Sequence, residues 1–310
     1  MMQKRESQVP RQPGNCWLLA HARNVTSQSG EDGIIQRILQ VIGENDRWCV
    51  EFGAWDGVYL SNTYNLIKNQ GYAAVLIEAD LRKFQHLKRN YRGDRVVAIN
   101  ALVGFEDHNN LDVILKDVDI PYNFDVLSID IDGNDYHVWD AVQHYRPKVV
   151  VIEFNMTIPN CIDFVQPKDM NLNQGSGIRS LVNLGKKKDY ELVAATEHNC
   201  LFVDGIYFPL FHIEDNSLAV MRSDEGYTTY LFCGYDGTVF VRGYGKLHWH
   251  GLPYSEAKMQ QLTKFLRKYP GHYGWGEKVI ATLYRSFRQR NFKELFNKLR
   301  NFGASARHNF

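Results

Sequence analysis

Between residues 48 and 154, short uninterrupted apolar runs alternate with amphipathic stretches, and no other feature constrains the fold as tightly. Strand-sized runs fall at 48–52, 73–78, 96–102, 124–131 and 148–154; helical periodicity falls at 63–69, 81–92, 109–116 and 136–145. This alternation predicts an α/β fold with a mostly parallel sheet covered on both faces, since parallel neighbours need a crossover long enough to hold a helix. Runs such as VVVIEF (149–154) lack polar alternation, as strands buried on both sides require. Upstream, Ser27 is a candidate helix cap, with Ile34, Ile35, Ile38, Leu39 and Ile42 at helical spacing. Downstream, a helix at 178–187 and strands at 190–196 and 200–203 complete a sheet of seven strands.

The stretch VEFGAWDG (50–57) ends the first of these strands and contains Glu51, Gly53 and Gly57, an ExGxxxG pattern. It differs from the GxGxxG of dinucleotide enzymes in placing a carboxylate where the first glycine would stand. A pyrophosphate needs bare backbone N–H groups at a helix start, and a fixed acid there repels it. A cationic ligand without phosphate suits it better, and S-adenosylmethionine (SAM), with its sulfonium and ammonium, is such a ligand. Glu78 ends the next strand 21 residues beyond Gly57, close to the spacing at which an acid grips a ribose through its hydroxyls. The structural alternative is a solvated strand end.

With these motifs stand SQSGEDGIIQRIL (27–39), VLIEAD (75–80), FDVLSIDIDGNDYHVW (124–139) and KVVVIEFN (148–155). In this order, over roughly residues 20–205, they resemble the FkbM-type branch of SAM-dependent methyltransferases. The resemblance implies a seven-stranded Rossmann-like class I methyltransferase sheet, with the cofactor over the carboxyl ends of the first strands. By match, Glu51, Gly53 and Gly57 would line the methionine part of SAM, Glu78 its ribose, and Asn100, Ala101 and Leu102 its adenine. Ser61 and Asn62 would reach the methionine carboxylate, and Gln28, Ala54, Ala79 and Asp130 complete the implied cofactor set. The departure is Trp55 and Asp56 within the glycine turn, bulkier than many relatives carry.

A second cluster follows the central strand in LSIDIDGNDYH (127–137), where Asp130, Asp132 and Asp135 precede His137 and Glu153 ends the neighbouring run. Crowded carboxylates raise one another's pKa until a proton or a cation relieves them. Mg²⁺ or Mn²⁺ held by Asp130, Asp132, Glu153 and Asn155 would do so, and a coordinated hydroxyl is a better nucleophile. Asp132 or His137 is placed to act as general base. The alternative without metal has Asp130 facing the cofactor while Asp132 and Asp135 support the next helix start. IDID also matches the DxD by which many glycosyltransferases hold a metal and a nucleotide sugar. A non-catalytic binder on the same fold is the third reading. His198 reads as a surface histidine or a base. His248-Trp249-His250 has ligand spacing on a strand but no third partner nearby.

Composition narrows the partners. Thirty-six basic against thirty-five acidic residues give a net charge of +1, so no bulk field favours nucleic acid, and no nucleic-acid partner is expected. Five dispersed cysteines without a CxxC speak against a disulfide framework or a zinc site. A polar, proline-bearing start and the absence of a long apolar run lead to the expectation of a cytoplasmic protein without a membrane span. The expected organisation is a loose arm at 1–26, a methyltransferase domain at 27–204 and an α+β extension at 205–310. Residues 155–177 read as a long loop whose amides suit a polyhydroxylated acceptor. The extension carries a hairpin (228–232 and 238–242), an amphipathic helix at 255–268 and a basic helix at 279–299, the last suited to weak peripheral contact with acidic lipid. The reading that unites these features is a SAM-dependent O-methyltransferase acting on a sugar, glycan or small-molecule hydroxyl.

Overall fold

The computed structural model describes residues 14–43, 46–93 and 95–288. The chain divides into two compact units, the first ending at Tyr227 and the second beginning at Thr228.

The first unit is built on β1 (Trp48–Phe52), β2 (Ala73–Ile77), β3 (Val96–Ile99), β4 (Val126–Ile129), β5 (Val149–Glu153), β6 (Tyr190–Ala195) and β7 (Asn199–Asp204). They form one sheet in the order β3-β2-β1-β4-β5-β7-β6, in which only β7 runs antiparallel to its neighbours. The seven-stranded Rossmann-like sheet of class I methyltransferases, expected from the sequence, is the observed one. Side chains alternate across it. Val50, Phe52, Leu127, Ile129, Val150 and Ile152 face α4 (Leu111–Leu115), α5 (Asp135–Ala141) and α6 (Ile178–Lys187). Cys49, Ala74, Leu76, Val126 and Val151 face α1 (Glu31–Ile42), α2 (Tyr64–Gln70) and α3 (Leu81–Asn90).

Helix starts follow local chemistry. The Asp80 carboxylate accepts the Arg82 and Lys83 N–H groups to open α3, and the Asn110 amide oxygen accepts that of Val113 to open α4. At α1 the expected cap acts from further away: Gly30 is the capping residue, while Ser27 Oγ accepts the Asp32 N–H at 3.0 Å. The amino end of the sheet is closed by Lys148, 4 % exposed, whose Nζ donates to Asp125 at 2.9 Å and Asp46 at 2.7 Å.

Several expected boundaries move. Strand β3 stops at Ile99, so residues 100–102 lie beyond it, and β4 is shorter than the apolar run 124–131 that contains it. Of the arm expected to be loose, residues 1–13 lie outside the described residues. From Trp17 the chain forms a short 3-10 helix that buries Leu18 against α1. The first unit also runs past 204, because Phe211, Ile213 and the short α7 (Leu218–Met221) bury side chains in the two sheet cores.

The second unit contains the expected hairpin, β8 (Thr229–Cys233) with β9 (Val239–Gly243). The helix expected at 255–268 is reduced to α8 (Glu256–Met259) and a 3-10 turn, Lys264–Leu266, because little of its apolar face finds a buried surface. His248 and His250 lie in a turn, not on a strand, closed by the Gly251 N–H to the Leu247 carbonyl. The last helix, α9 (Trp275–Arg288), starts earlier than expected; the remainder of 279–299 lies outside the described residues.

Candidate active site

The sheet order reverses between β1 and β4, and ligands of open α/β sheets bind beyond the carboxyl ends at such a point. There the chain leaving β1 turns on Gly53 (φ +71°) and Gly57 (φ +75°). A Cβ on Gly53 would lie 1.7 Å from the Asp130 carbonyl oxygen, and one on Gly57 would lie 2.3 Å from the Tyr91 ring. The ExGxxxG glycines are therefore demanded both by backbone conformation and by close approach. Trp55 (φ 50°), Leu60 (φ 55°) and Asp132 (φ 57°) also adopt left-handed conformations around the same crevice. Such strain concentrates where surrounding bonds hold it.

Those bonds come from Glu51 and Glu78. Buried Glu51 accepts hydrogen bonds from Ser61 Oγ (2.6 Å), Thr63 Oγ1 (2.7 Å) and the Asn62 N–H (2.9 Å). Desolvation raises its pKa, and these donors oppose the shift. Ser61 and Asn62, expected at a cofactor carboxylate, are thus engaged with Glu51, and Asn62 Nδ2 also donates to Ser128 Oγ at 3.1 Å. Glu78 accepts the Trp55 N–H on Oε2 at 2.8 Å and the Asp80 N–H on Oε1 at 2.7 Å. Each oxygen keeps a second lone pair. Ala54 is buried, its N–H bonded to the Ile77 carbonyl. Asn100 Nδ2 donates to the carbonyls of Glu78 (2.8 Å) and Ala79 (3.1 Å), tying the adenine-side candidates to the end of β2. Leu102 is exposed there, and Ala101 is half-buried against the core. On the rim, Trp55 and Tyr59 are exposed with ring centroids 5.1 Å apart, and Lys83 Nζ stands 3.8 Å from the Trp55 ring centre.

The ends of β4 and β5 bring the acids together. Asp130, Asp132 and Glu153 each offer a carboxylate oxygen, all within 4.8 Å of one another. Burial, with the charges of Asp135, Asp132 and Glu51, pushes Asp130 up to about 8. Burial and the charge of Asp130 push Glu153 well above the carboxylate range, and the two share a hydrogen bond. A shared proton relieves this pair, and the all-oxygen donor set equally suits a hard divalent cation. Asp135 stands apart, its pKa raised to about 6 mainly by burial. Its carboxylate accepts the Ile131 and Gly133 N–H groups, both at 2.9 Å, and so fixes the turn that carries Asp132.

Asn155, expected at this cluster, is turned elsewhere, and His137 is held through one ring nitrogen. Asn155 Oδ1 accepts from the Thr157 N–H (3.0 Å) and Oγ1 (2.6 Å), and its Nδ2 donates to the Gln174 carbonyl, so it lines the loop and not the acids. His137 Nε2 lies 2.8 Å from the Gln166 carbonyl oxygen, which can only accept, so Nε2 carries a proton there. With the proton on Nε2, Nδ1 is the unprotonated nitrogen of His137. Asp132 is the exposed carboxylate of the acid cluster.

Residues 155–177 form a folded roof in which the side-chain amides of Asn155, Gln166 and Asn171 bond within the segment and those of Asn160 and Asn173 bond outside it. Gln166 is buried, accepting the Gln174 and Gly175 N–H groups and donating to the Leu172 carbonyl. Asn173 Nδ2 reaches the Asp132 carbonyl at 3.1 Å, and Asn134 Nδ2 that of Asp169 at 3.1 Å. Gln166 was legible only as one amide among many. Glu31 and Asp32 were also missed as organisers, although both stand in the SQSGED motif. Glu31, fully buried, accepts from Thr196 Oγ1, Asn199 Nδ2 and the Ser29 N–H. Asp32 Oδ2 gathers the N–H groups of Val25, Thr26 and Ser27. Together they fix the backbone around Gln28, whose carbonyl accepts from Asn24 Nδ2. His198, half-buried, holds Nδ1 2.9 Å from Ser29 Oγ.

No family model matches the chain, and no curated protein matches it. Solved structures give loose likenesses. An O-methyltransferase from Bacillus cereus with S-adenosylhomocysteine is 21% identical over 60% of this chain and 83% of that one, with a TM-score of 0.41. A TehB-like SAM-dependent methyltransferase from Corynebacterium glutamicum is 10% identical over 60% and 92%, with a TM-score of 0.35. An amino pentose methyltransferase from Micromonospora echinaspora with SAM is 10% identical over 56% and 89%, again with a TM-score of 0.35. At these scores the likenesses carry no argument about chemistry, and the fold assignment rests on the strand order itself.

Proposed function

We propose that the chain is a SAM-dependent O-methyltransferase of FkbM-like type whose acceptor is a hydroxyl of a sugar or glycan. The observation that carries this reading is the crevice at the β1/β4 reversal, where two glycines without room for a side chain meet Glu78 on one side and three carboxylates on the other. The glycine turn and Glu78 fit a nucleoside with a cationic, phosphate-free tail. Gly53, Ala54 and Gly57 would hold the amino-acid end of SAM by backbone, Glu78 its ribose diol and the residues around Asn100 its base. When bound, SAM supplies an electrophilic methyl group.

The remaining chemistry belongs to the acids and the rim. Asp132 takes the acceptor hydroxyl proton on its exposed carboxylate. Asp130 and Glu153 would hold Mg²⁺ or Mn²⁺ with Asp132, supplying a Lewis acid beside that hydroxyl. The exposed Trp55 and Tyr59 rings offer the apolar platform on which a sugar face rests. Positioning supplies much of the rate, because the turn, the acid cluster and the roof are each cross-braced before any ligand arrives.

The test is methyl transfer from labelled SAM to a panel of saccharides, with and without chelator. Transfer to a saccharide hydroxyl, reduced about 10²–10⁴-fold in Asp132→Ala, is the expected result. Metal-dependent sugar transfer from a nucleotide sugar, with no methyl transfer, would replace the reading by a DxD glycosyltransferase.

A further inference from the structure

The second unit ends in a helix whose apolar side is uncovered. In α9, Ile280, Leu283 and Phe287 are spaced by three and four residues and so lie along one face. They are 44%, 42% and 73% exposed, and Trp275 at the helix start is 66% exposed. Lys278, Arg285 and Arg288, spaced by seven and three, share a different face. The acid of the first turn, Glu277, is engaged by Lys268 and the Gly274 N–H. Among the described residues no carboxylate pairs with Lys278, Arg285 or Arg288. The helix is tied to its own unit through Tyr284 Oη to the Gln261 carbonyl at 2.7 Å and through Arg288, at the edge of the cationic face, to Gln261 Oε1 at 2.9 Å, which leaves Lys278 and Arg285 as the exposed cations without a side-chain partner among the described residues. The sequence continues in the same vein: from Lys278 to Phe310 there are eight lysines and arginines and one glutamate, interleaved with Phe292, Leu295, Phe296, Leu299 and Phe302.

We propose that α9 docks the protein on an anionic lipid surface, its Ile280–Leu283–Phe287 stripe entering the acyl boundary and its cations meeting the headgroups. Charge complementarity selects this occupant. A second copy of the same helix would cover the stripe but leave the cations without counter-charge, and nucleic acid would leave the apolar stripe in water. A bilayer with acidic headgroups satisfies both faces of one helix about 21 Å long. No helix among the described residues is long and apolar enough to cross a membrane, so the contact is one of lying on the surface.

The experiment is flotation of the full-length protein with vesicles of phosphatidylcholine alone and of phosphatidylcholine mixed with phosphatidylglycerol, at low and high salt. Binding is expected to the mixed vesicles, to weaken with salt, and to fall about tenfold or more in Leu283→Gln/Phe287→Gln. Lys278→Gln and Arg285→Gln should each weaken it about fivefold. All four side chains are exposed, and circular dichroism checks that the variants fold. Absence of binding, equal binding to neutral vesicles, or an unaltered Leu283→Gln/Phe287→Gln variant would overturn the proposal. So would a mass by light scattering that is dimeric in the parent and monomeric in that variant, which would give the stripe to a second copy.

Discussion

Replacing Gly53 by alanine isolates the steric demand of the glycine turn. The new Cβ would stand 1.7 Å from the Asp130 carbonyl oxygen and 2.9 Å from its carbon, both backbone atoms on the neighbouring chain segment. Reaching ordinary van der Waals separation requires the segments after β1 and β4 to part by about 1.5–2 Å. The left-handed backbone at φ +71° adds a cost of about 1–2 kcal/mol for any L residue. Gly71 is the internal control: its φ is +72°, yet nothing lies within 4 Å of a Cβ built there. Gly71→Ala should therefore cost only the conformational term, about 1–2 kcal/mol. Gly53→Ala should cost roughly 2–5 kcal/mol, the excess being overpacking. Urea denaturation of both variants, followed by far-ultraviolet circular dichroism, compares their midpoints. Gly53→Ala should also lose S-adenosylhomocysteine binding that Gly71→Ala retains. Equal destabilisation by the two substitutions would refute the reasoning, since it would leave the close approach to Asp130 without energetic consequence.

Other perturbations probe separate parts of the account. Glu78→Gln, which keeps an acceptor for one backbone N–H, should weaken S-adenosylhomocysteine binding by about 1.5–3 kcal/mol; calorimetric affinity equal to the parent's would remove the ribose role. Asp130 is raised from its ordinary 3.8 to about 8 by burial and neighbouring acids, so in chelator the folded chain holds a proton that the unfolded chain releases near pH 4. The stability this contributes is full below that pH and is lost as pH rises through about 8; Tm should fall over this window, and Asp130→Asn should flatten the slope. A slope unchanged in Asp130→Asn would assign the titration elsewhere. Lys148→Met leaves the fully buried Asp125 without its cation and should cost about 3–5 kcal/mol in urea denaturation, whereas a loss under ~1 kcal/mol would show that Asp125 is satisfied by the Asp46 and Arg47 N–H groups and Tyr72 without the cation.

The fold was legible because strand and helix periodicities differ and the first unit obeys them: the runs ending at Phe52 and Ile77 and the helix Ile178–Lys187 are found within a residue of where their patterns put them. Legibility failed where packing decides. The stretch 255–268 has a helical pattern, but with little core to cover it coils only at Glu256–Met259 and in the 3-10 turn Lys264–Leu266. Residues 205–227 carry no strong periodicity, yet Phe211 and Met221 are drawn into the sheet cores. In the site, residue type and strand-end position found the acids and the glycines. Hydrogen-bond partners were not legible, because they depend on segments distant in sequence: Gln166 claims His137, Thr157 claims Asn155, and Ser61 and Asn62 turn to Glu51. Trp55 and Asp56, the bulky pair within the glycine turn, have a physical place. Asp56 Oδ1 accepts the Val58 and Tyr59 N–H groups, bracing the turn that presents Trp55 on its rim.

The central claim is that the crevice at the β1/β4 reversal binds SAM, and calorimetric titration of the purified protein with S-adenosylhomocysteine tests it most directly. Micromolar, stoichiometric binding that persists in chelator and is weakened in Glu78→Gln is the predicted result. No heat with S-adenosylhomocysteine, together with Mn²⁺-dependent binding of a UDP-sugar, would contradict the account and assign Asp130 and Asp132 to a nucleotide-sugar site.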